Sequence, residues 1–296
     1  MITVRVMGGL GNQLFQYATA YSLAQRLNQK LQLDISFFPK QALRGYKLEN
    51  LNIEFVKAVS KQVPMVEFYK NRYINRILRA ANIRSLPYGE KSKYLLETRS
   101  DIMPEFFEIS GQDIYIDGYY QSEKYFKEFQ NDLIRQFMPN YKPESEFENM
   151  LSKIYACNSV AVHVRRGDFL KAKNDRNPNH YLLNETYYYN ALRYIYEKLE
   201  LPEFFWFSDD IEWVKQNFGE KANFHYVNLH SKQADIDEMM LMKNCKHIIA
   251  ANSTFSWWAS WLNENGEAMH ICPARRYGNL LMIPETWTRI SVVRQR

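Results

Sequence analysis

A chain of 296 residues with 46% hydrophobic and 24% charged residues is long enough for two cores and carries the charge of a water-exposed globular protein. It contains no apolar run of 18 residues or more, which excludes a helical membrane span, and the N-terminus reads as a strand rather than a secretion signal. Cys157, Cys245 and Cys272, an odd number without a C-x-x-C pair, argue against a disulfide framework and predict a reducing, cytoplasmic location.

From the N-terminus, I-T-V-R-V-M predicts a strand, G-G-L-G a turn, and N-Q-L-F-Q-Y-A-T-A-Y-S-L-A-Q-R-L an amphipathic helix bearing Leu14, Phe15, Ala18, Leu23, Ala24 and Leu27. K-L-Q-L-D-I-S-F-F then predicts a second strand, so the unit is βαβ and implies a parallel sheet. Gly9-x-Gly11-x-x-Leu14, with Asp34 closing the next strand, approaches a dinucleotide fingerprint. Leu14 stands where a small residue should let helix and strand pack. An NAD(P)-dependent oxidoreductase is therefore an alternative with a mismatch, and a ligand-free glycine turn is another.

Residues 40–110 read as irregular and helical in part. Within them, residues 66–93 hold Lys70, Arg72, Arg76, Arg79, Arg84, Lys91 and Lys93 against Glu67 and Glu90, a surplus equal to the net charge of +5 of the whole chain. Val66, Tyr69, Tyr73 and Ile77 recur there at helical spacing. A basic amphipathic helix can rest on an anionic membrane surface, but a solvated helix face on a soluble lobe is the favoured reading of the same residues. No nucleic-acid motif accompanies the patch. D-I-Y-I-D-G-Y-Y (113–120) predicts a strand ended by Gly118, followed by a helix through Y-F-K-E-F-Q-N-D-L-I-R-Q-F. The Pro-rich segment 138–146 marks a lobe boundary, giving lobes 1–145 and 146–296, the C-terminal tail being free to pack back on the first.

The second lobe alternates again: strand S-V-A-V-H-V, a helix over 185–199, strand E-F-F-W-F-S, helix D-D-I-E-W-V-K-Q-N-F, strand N-F-H-Y-V-N, helix D-I-D-E-M-M-L-M-K-N-C, strand K-H-I-I-A-A and helix W-W-A-S-W-L-N. In open α/β sheets ligands bind beyond the carboxyl ends of the strands, so the strand exits are the site candidates. The first exit, H-V-R-R-G-D, sets His163 and Arg165 on one strand face and Arg166 on the other. Two fixed cations there suit phosphate oxygens, while an Arg–Asp pair with Asp168 is the structural alternative. The last exit, Asn252, Ser253, Thr254, Phe255 and Ser256, leads into a helix N-terminus, which suits an anion or ordinary capping. At the middle exit Asp209 and Glu212 have capping-box spacing, and the adjacent acids could instead hold a ribose, a base or a metal. D-I-D at 235–237 is discounted as a metal motif: two arginines and a helix N-terminus can carry a pyrophosphate without one.

H-V-R-R-G-D resembles the H-x-R-R-x-D motif of the α1,2- and α1,6-fucosyltransferases and protein O-fucosyltransferases. M-G-G-L-G-N-Q-L-F-Q-Y-A and K-H-I-I-A-A-N-S-T-F-S-W-W-A-S-W-L resemble the bacterial α1,2-fucosyltransferases (glycosyltransferase family 11). The three motifs span residues 7 to 262 in matching order. The resemblance implies a GT-B arrangement of two Rossmann-like lobes facing a cleft. It further implies GDP-β-L-fucose as donor, the 2-hydroxyl of a terminal galactose as acceptor, and inversion with no cofactor or essential metal. It implies that Arg165 holds the pyrophosphate with His163 and Asp168 beside it, and that Ser253, Thr254 and Phe255 complete the phosphate pocket. Gly11 and Asn12 would reach toward the fucose from the first lobe. Glu238 stands where the family usually has an aspartate reading guanine, and Asp237 could share that contact. Asp168 is the candidate base for the acceptor hydroxyl. A non-catalytic carbohydrate-binding protein, suggested by 21 tyrosines and 18 phenylalanines, is the remaining alternative.

Overall fold

The computed structural model describes residues 1–40, 45–55, 58–59, 64–99, 101–111, 113–167, 170, 182–274 and 283–292. The chain forms two compact units, Met1–Tyr141 and Lys142–Arg296.

In the first unit β1 (Ile2–Arg5) runs into α1 (Leu10–Arg26) and β2 (Leu31–Asp34). β3 (Ala58–Val59), α2 (Pro64–Lys70), α3 (Arg72–Ala80), the hairpin β4 (Ser85–Gly89) and β5 (Ser92–Leu96), α4 (Pro104–Glu108), β6 (Asp113–Asp117) and α5 (Gln130–Gln136) follow. The sheet order is β3-β2-β1-β6-β5-β4, parallel except for the β4–β5 hairpin. The turn before α1 depends on Gly8, whose φ of +82° and whose absent Cβ, which would sit 2.8 Å from Asn12 Nδ2, admit no side chain. Gln13, fully buried, pins the same turn: its Nε2 donates to the carbonyls of Gly8 and Gly45, both at 3.0 Å.

The basic segment departs from a single amphipathic helix. Asn71 caps α3 by accepting from Tyr73 N at 3.0 Å, which breaks the run into α2 and α3 before the hairpin. Val66 and Tyr69 pack with Leu78, Tyr94, Leu96 and Tyr115 in a core, while Tyr73 and Ile77 are 77% and 62% exposed. The four apolar residues therefore share no face. The helix expected over 125–137 is likewise shorter, with two 3-10 turns preceding α5.

The second unit contains α6 (Ser145–Tyr155), β7 (Asn158–Val164), α7 (Glu185–Tyr196), β8 (Pro202–Ser208), α8 (Ile211–Phe218), β9 (Phe224–Val227), α9 (Ala234–Asn244), β10 (His247–Ile249), α10 (Thr254–Trp261), β11 (His270–Pro273) and β12 (Thr288–Ile290). Its sheet is wholly parallel, in the order β12-β11-β10-β7-β8-β9. The central strands are apolar on both faces, as a covered parallel sheet requires: Val160, Val162, Phe204 and Trp206 lie in one core with Tyr187, Tyr188, Leu192 and Ile195 of α7. The C-terminal residues 293–296, where a returning tail would lie, fall outside the described residues.

Candidate active site

The central strand β7 pairs with β10 on one side and β8 on the other, so the three exits expected from the sequence are adjacent. Chain order reverses between β10 and β7, which makes this the switch point of the sheet.

His163, 4% exposed near the end of β7, packs its ring at a tilt against Phe255 in the first turn of α10, the ring centres 5.4 Å apart. That contact ties the first exit to the last. Burial, helped by the charge of Arg165, lowers the His163 pKa to about 3, so the imidazole is neutral at working pH. Its Nδ1 is buried with no hydrogen-bond partner among the described residues.

Arg165 and Arg166 turn to successive acids at the end of β8. Arg165 Nη1 meets Asp209 Oδ2 at 2.8 Å, and the Arg166 amide donates to Asp209 Oδ1 at 2.9 Å. Arg166 Nε meets Asp210 Oδ2 at 3.2 Å, and its guanidinium lies 3.8 Å over the Trp213 ring. The glycine of R-R-G-D now has a physical cause. A Cβ on Gly167 would lie 2.8 Å from Asp209 Oδ2, so any side chain would displace the carboxylate that orients Arg165. Asp168 lies outside the described residues.

The capping reading of Asp209 is corrected. Asp210 is the N-cap of α8, its Oδ1 accepting from Trp213 N at 3.2 Å, because β8 runs on to Ser208 and the helix starts one residue later than the box spacing implies. Asp210 and Trp213 were not anticipated as site residues. The adjacent acids at a strand exit were the available signal.

At the last exit Ser253 caps α10, its Oγ accepting from Phe255 N at 3.3 Å. Ser256 is fully buried, and its hydroxyl accepts from Ala251 N at 3.1 Å and donates to the Ser253 carbonyl at 3.5 Å. It shapes the loop from within. Asn252 is 1% exposed, while Thr254 and Phe255 are half-buried in the first helical turn, where backbone N–H groups lie outside the helical ladder.

Asp237 and Glu238 open α9 and diverge. Asp237 is 1% exposed and accepts from Ser231 Oγ at 2.5 Å. Glu238 is half-buried, accepts from Leu229 N at 3.4 Å, and has its pKa raised to about 7, chiefly by burial and further by the charges of Asp235, Asp237 and Asp209. That last influence places Glu238 within electrostatic reach of the Arg165–Asp209 pair. Of the expected residues in the second unit, His163, Arg165, Asp209 and Asn252–Ser256 are thus brought together, with Glu238 near them. Gly11 and Asn12 belong to the first unit, in the opening turn of α1, where Asn12 Oδ1 accepts from Gln121 Nε2 at 2.8 Å.

Two units built on largely parallel sheets, with a cation and a helix N-terminus at the switch point of the second, have the GT-B fold class, and solved structures agree on it. An Arabidopsis thaliana FUT1 variant in complex with GDP superposes with a TM-score of 0.53 at 16% identity, covering 93% of this chain and 70% of that one. The α1,6-fucosyltransferase NodZ soaked with GDP-fucose gives 0.51 at 15% identity, covering 88% and 92%.

The chain belongs to glycosyl transferase family 11, whose sequence model matches residues 1–279. An Escherichia coli α-1,2-colitosyltransferase is 32% identical over 98% of this chain and 99% of its own length. The E. coli O-antigen biosynthesis glycosyltransferase WbnK is 29% identical over 90% and 92%. A Caenorhabditis elegans galactoside 2-α-L-fucosyltransferase is 26% identical over 99% and 80%. The protein is therefore an enzyme of glycosyl transfer, which displaces both the nicotinamide and the carbohydrate-binding alternatives. The Asp34 carboxylate, which a dinucleotide ribose would need, is already bonded to Lys70 at 2.8 Å, to Ser36 N at 2.9 Å and to the Tyr115 hydroxyl.

Among the described residues no helix is long and apolar enough to cross a membrane, and no cluster of three or more acidic, histidine or cysteine side chains could hold a metal ion. All three cysteines carry free thiols.

Proposed function

We propose that this enzyme transfers L-fucose from GDP-β-L-fucose to the 2-hydroxyl of a terminal galactose, with inversion to an α1,2 linkage. The observation that carries the reading is the position of Arg165. A fixed cation stands at the carboxyl end of the central strand, oriented by Asp209 beside the first turn of α10, and its side chain remains 28% exposed. As the fucosyl–oxygen bond breaks, negative charge grows on the departing GDP and the sugar gains oxocarbenium character. Arg165 and the α10 N–H groups lie where they would meet that charge without reorganising. This arrangement asks for no metal. Neutral His163 packs against Phe255 and adds no competing cation. Arg166, held by Asp210 and Trp213, stiffens the loop that presents Arg165. Glu238 is the preferred guanine contact, since Asp237 is buried on Ser231. Gly11 and Asn12 serve the sugar end of the donor, and Asp168 is the candidate base. The domains divide the work, the first serving the acceptor and the second the donor. Free thiols suit a cytoplasmic enzyme.

A second donor is favoured by one specific finding, the 32% identity to an α-1,2-colitosyltransferase. Colitose is fucose without its 3-hydroxyl, so the same phosphate site would serve GDP-colitose. The test is transfer to lactose from GDP-fucose and from GDP-colitose, each with and without EDTA, the product linkage being read by NMR. An α1,2-linked fucosyl product insensitive to EDTA supports the proposal. Transfer from GDP-colitose alone moves the donor to the second reading, and transfer from neither refutes both.

A further inference from the structure

We propose that a cavity in the first unit, lined by Arg5, Lys70, Arg72, Asn75, Arg76 and Arg79, binds a phosphate or diphosphate group. The cavity measures about 410 Å³, within the roughly 300–1,000 Å³ range of small-molecule sites. Five of its six lining residues are cationic and none is acidic among the described residues.

Topology brings these residues together. Arg5 closes β1 and Asp117 closes β6, the two strands between which chain order reverses in this sheet, so the cavity lies where open α/β sheets bind ligands. Lys70 ends α2. Arg72, Arg76 and Arg79 recur at four- and three-residue steps on one face of α3.

Three of the cations are held in place. Lys70 Nζ meets Asp34 at 2.8 Å and Glu67 at 2.7 Å with its side chain only 7% exposed. Arg5 Nη1 meets Asp117 at 3.0 Å, leaving Nε buried with no partner among the described residues. Arg79 is oriented by Asn75, whose Oδ1 accepts from Nε at 2.7 Å, and by the Glu97 carbonyl. Arg72 and Arg76 have no acid paired with them among the described residues, and both are exposed. Preorganised donors beside two uncompensated guanidinium groups are the chemistry of multidentate oxyanion capture. Such a group can arrive on a phosphorylated acceptor or in a lipid headgroup.

The experiment is calorimetric titration of the full chain with inorganic pyrophosphate. It is run on the Arg165→Ala protein, so that the donor site of the second unit does not contribute, and on the same protein carrying Arg72→Gln and Arg76→Gln. No sugar nucleotide is present, so the outcome is independent of the transferase reading. The expected result is salt-sensitive binding to Arg165→Ala that weakens roughly tenfold or more with the two α3 substitutions and recovers in part with Arg72→Lys and Arg76→Lys. No binding to Arg165→Ala, or binding that the α3 substitutions leave unchanged, overturns the proposal. Two further arms name the source. With Arg165 intact, a lower KM for lactose 1-phosphate than for lactose, lost when Arg72→Gln and Arg76→Gln are introduced into that enzyme, assigns the site to the acceptor. Co-sedimentation with phosphatidylglycerol vesicles, lost in the same variant, assigns it to a headgroup.

Discussion

Removing Asp209 separates a functional Arg165 from a merely structural strand-end pair. Asp209→Ala deletes the 2.8 Å contact to Arg165 and the 2.9 Å acceptor of the Arg166 amide while leaving both cations in place. A hydrogen bond to a charged group contributes about 1.5–3 kcal/mol when shielded from solvent. Arg165 and Asp209 are 28% and 27% exposed, so screening reduces the expected loss of stability to about 1 kcal/mol, or a Tm lower by about 2–4 °C for a unit of this size. Arg165→Ala breaks the same pair and should cost the fold about as much. Their kinetics should differ. Arg165→Ala removes a preorganised donor to the leaving group, about 3 kcal/mol of barrier and at least a hundredfold in kcat. Asp209→Ala keeps the charge and loses only its orientation, roughly tenfold. Initial rates with radiolabelled GDP-fucose and lactose, alongside melts followed by circular dichroism, read both quantities on the same samples. Equal thermal losses with equal, small kinetic losses would refute the assignment and leave the pair as a fastening for the β7–β8 loops.

Gly167→Ala should lower transfer by pushing Asp209 aside, and its effect should nearly vanish in the Asp209→Ala background, where the space is open; additive losses in that double-mutant cycle would reject the steric account. Buried His163 takes no proton until about pH 3, whereas the unfolded chain takes one near pH 6.5, so stability should fall with pH across that window by up to about 1.4 kcal/mol per unit. Denaturant titrations of His163→Phe should show a shallower decline. Glu238, with its pKa raised to about 7, disfavours the folded state as pH climbs from its ordinary 4.5 through 7, so Glu238→Gln should melt higher than the parent at pH 8. If Glu238 reads guanine as a carboxylate, GDP affinity should rise from pH 6 to pH 8 in the parent and stay flat in Glu238→Gln, which a fluorescence titration would show.

The second unit was largely legible because its strands are buried on both faces. V-A-V and F-F-W-F are unbroken apolar runs, and their exits carry the charged and small residues that chemistry needs. The first unit hid its hairpin. β4 contains Pro87, which ordinarily demotes a strand and is tolerated here because β4 is an edge. Its turn places Lys91 at φ +59° with no Asn-Gly signature to announce it. β11 and β12 escape a sequence reading because β11 ends on Pro273 and β12 carries the charged Arg289 at its centre. In the basic segment the helical spacing does not hold as one face: Asn71 caps a second helix within it, so Val66 and Tyr69 fall on α2 and Tyr73 and Ile77 on α3. At the site, Arg165 and the start of α10 could be anticipated from residue type. The partner of Arg165 could not, since Asp209 comes from a strand 44 residues away in sequence and only the β7–β8 register joins them.

The adjacency of β7 and β10 also bears on how the protein is made. His163 and Phe255 meet only when strands more than 80 residues apart have paired, an intrinsically slow event because the intervening loop must close first. Until the ribosome has released β10 and α10, the growing chain lacks the proposed phosphate site, however well its earlier helices have formed. A nucleotide that binds there recognises only the finished unit and draws the folding equilibrium toward it. The GDP-sugar proposed as donor would then be a maturation ligand as well, protecting each newly completed molecule from the moment it becomes able to work.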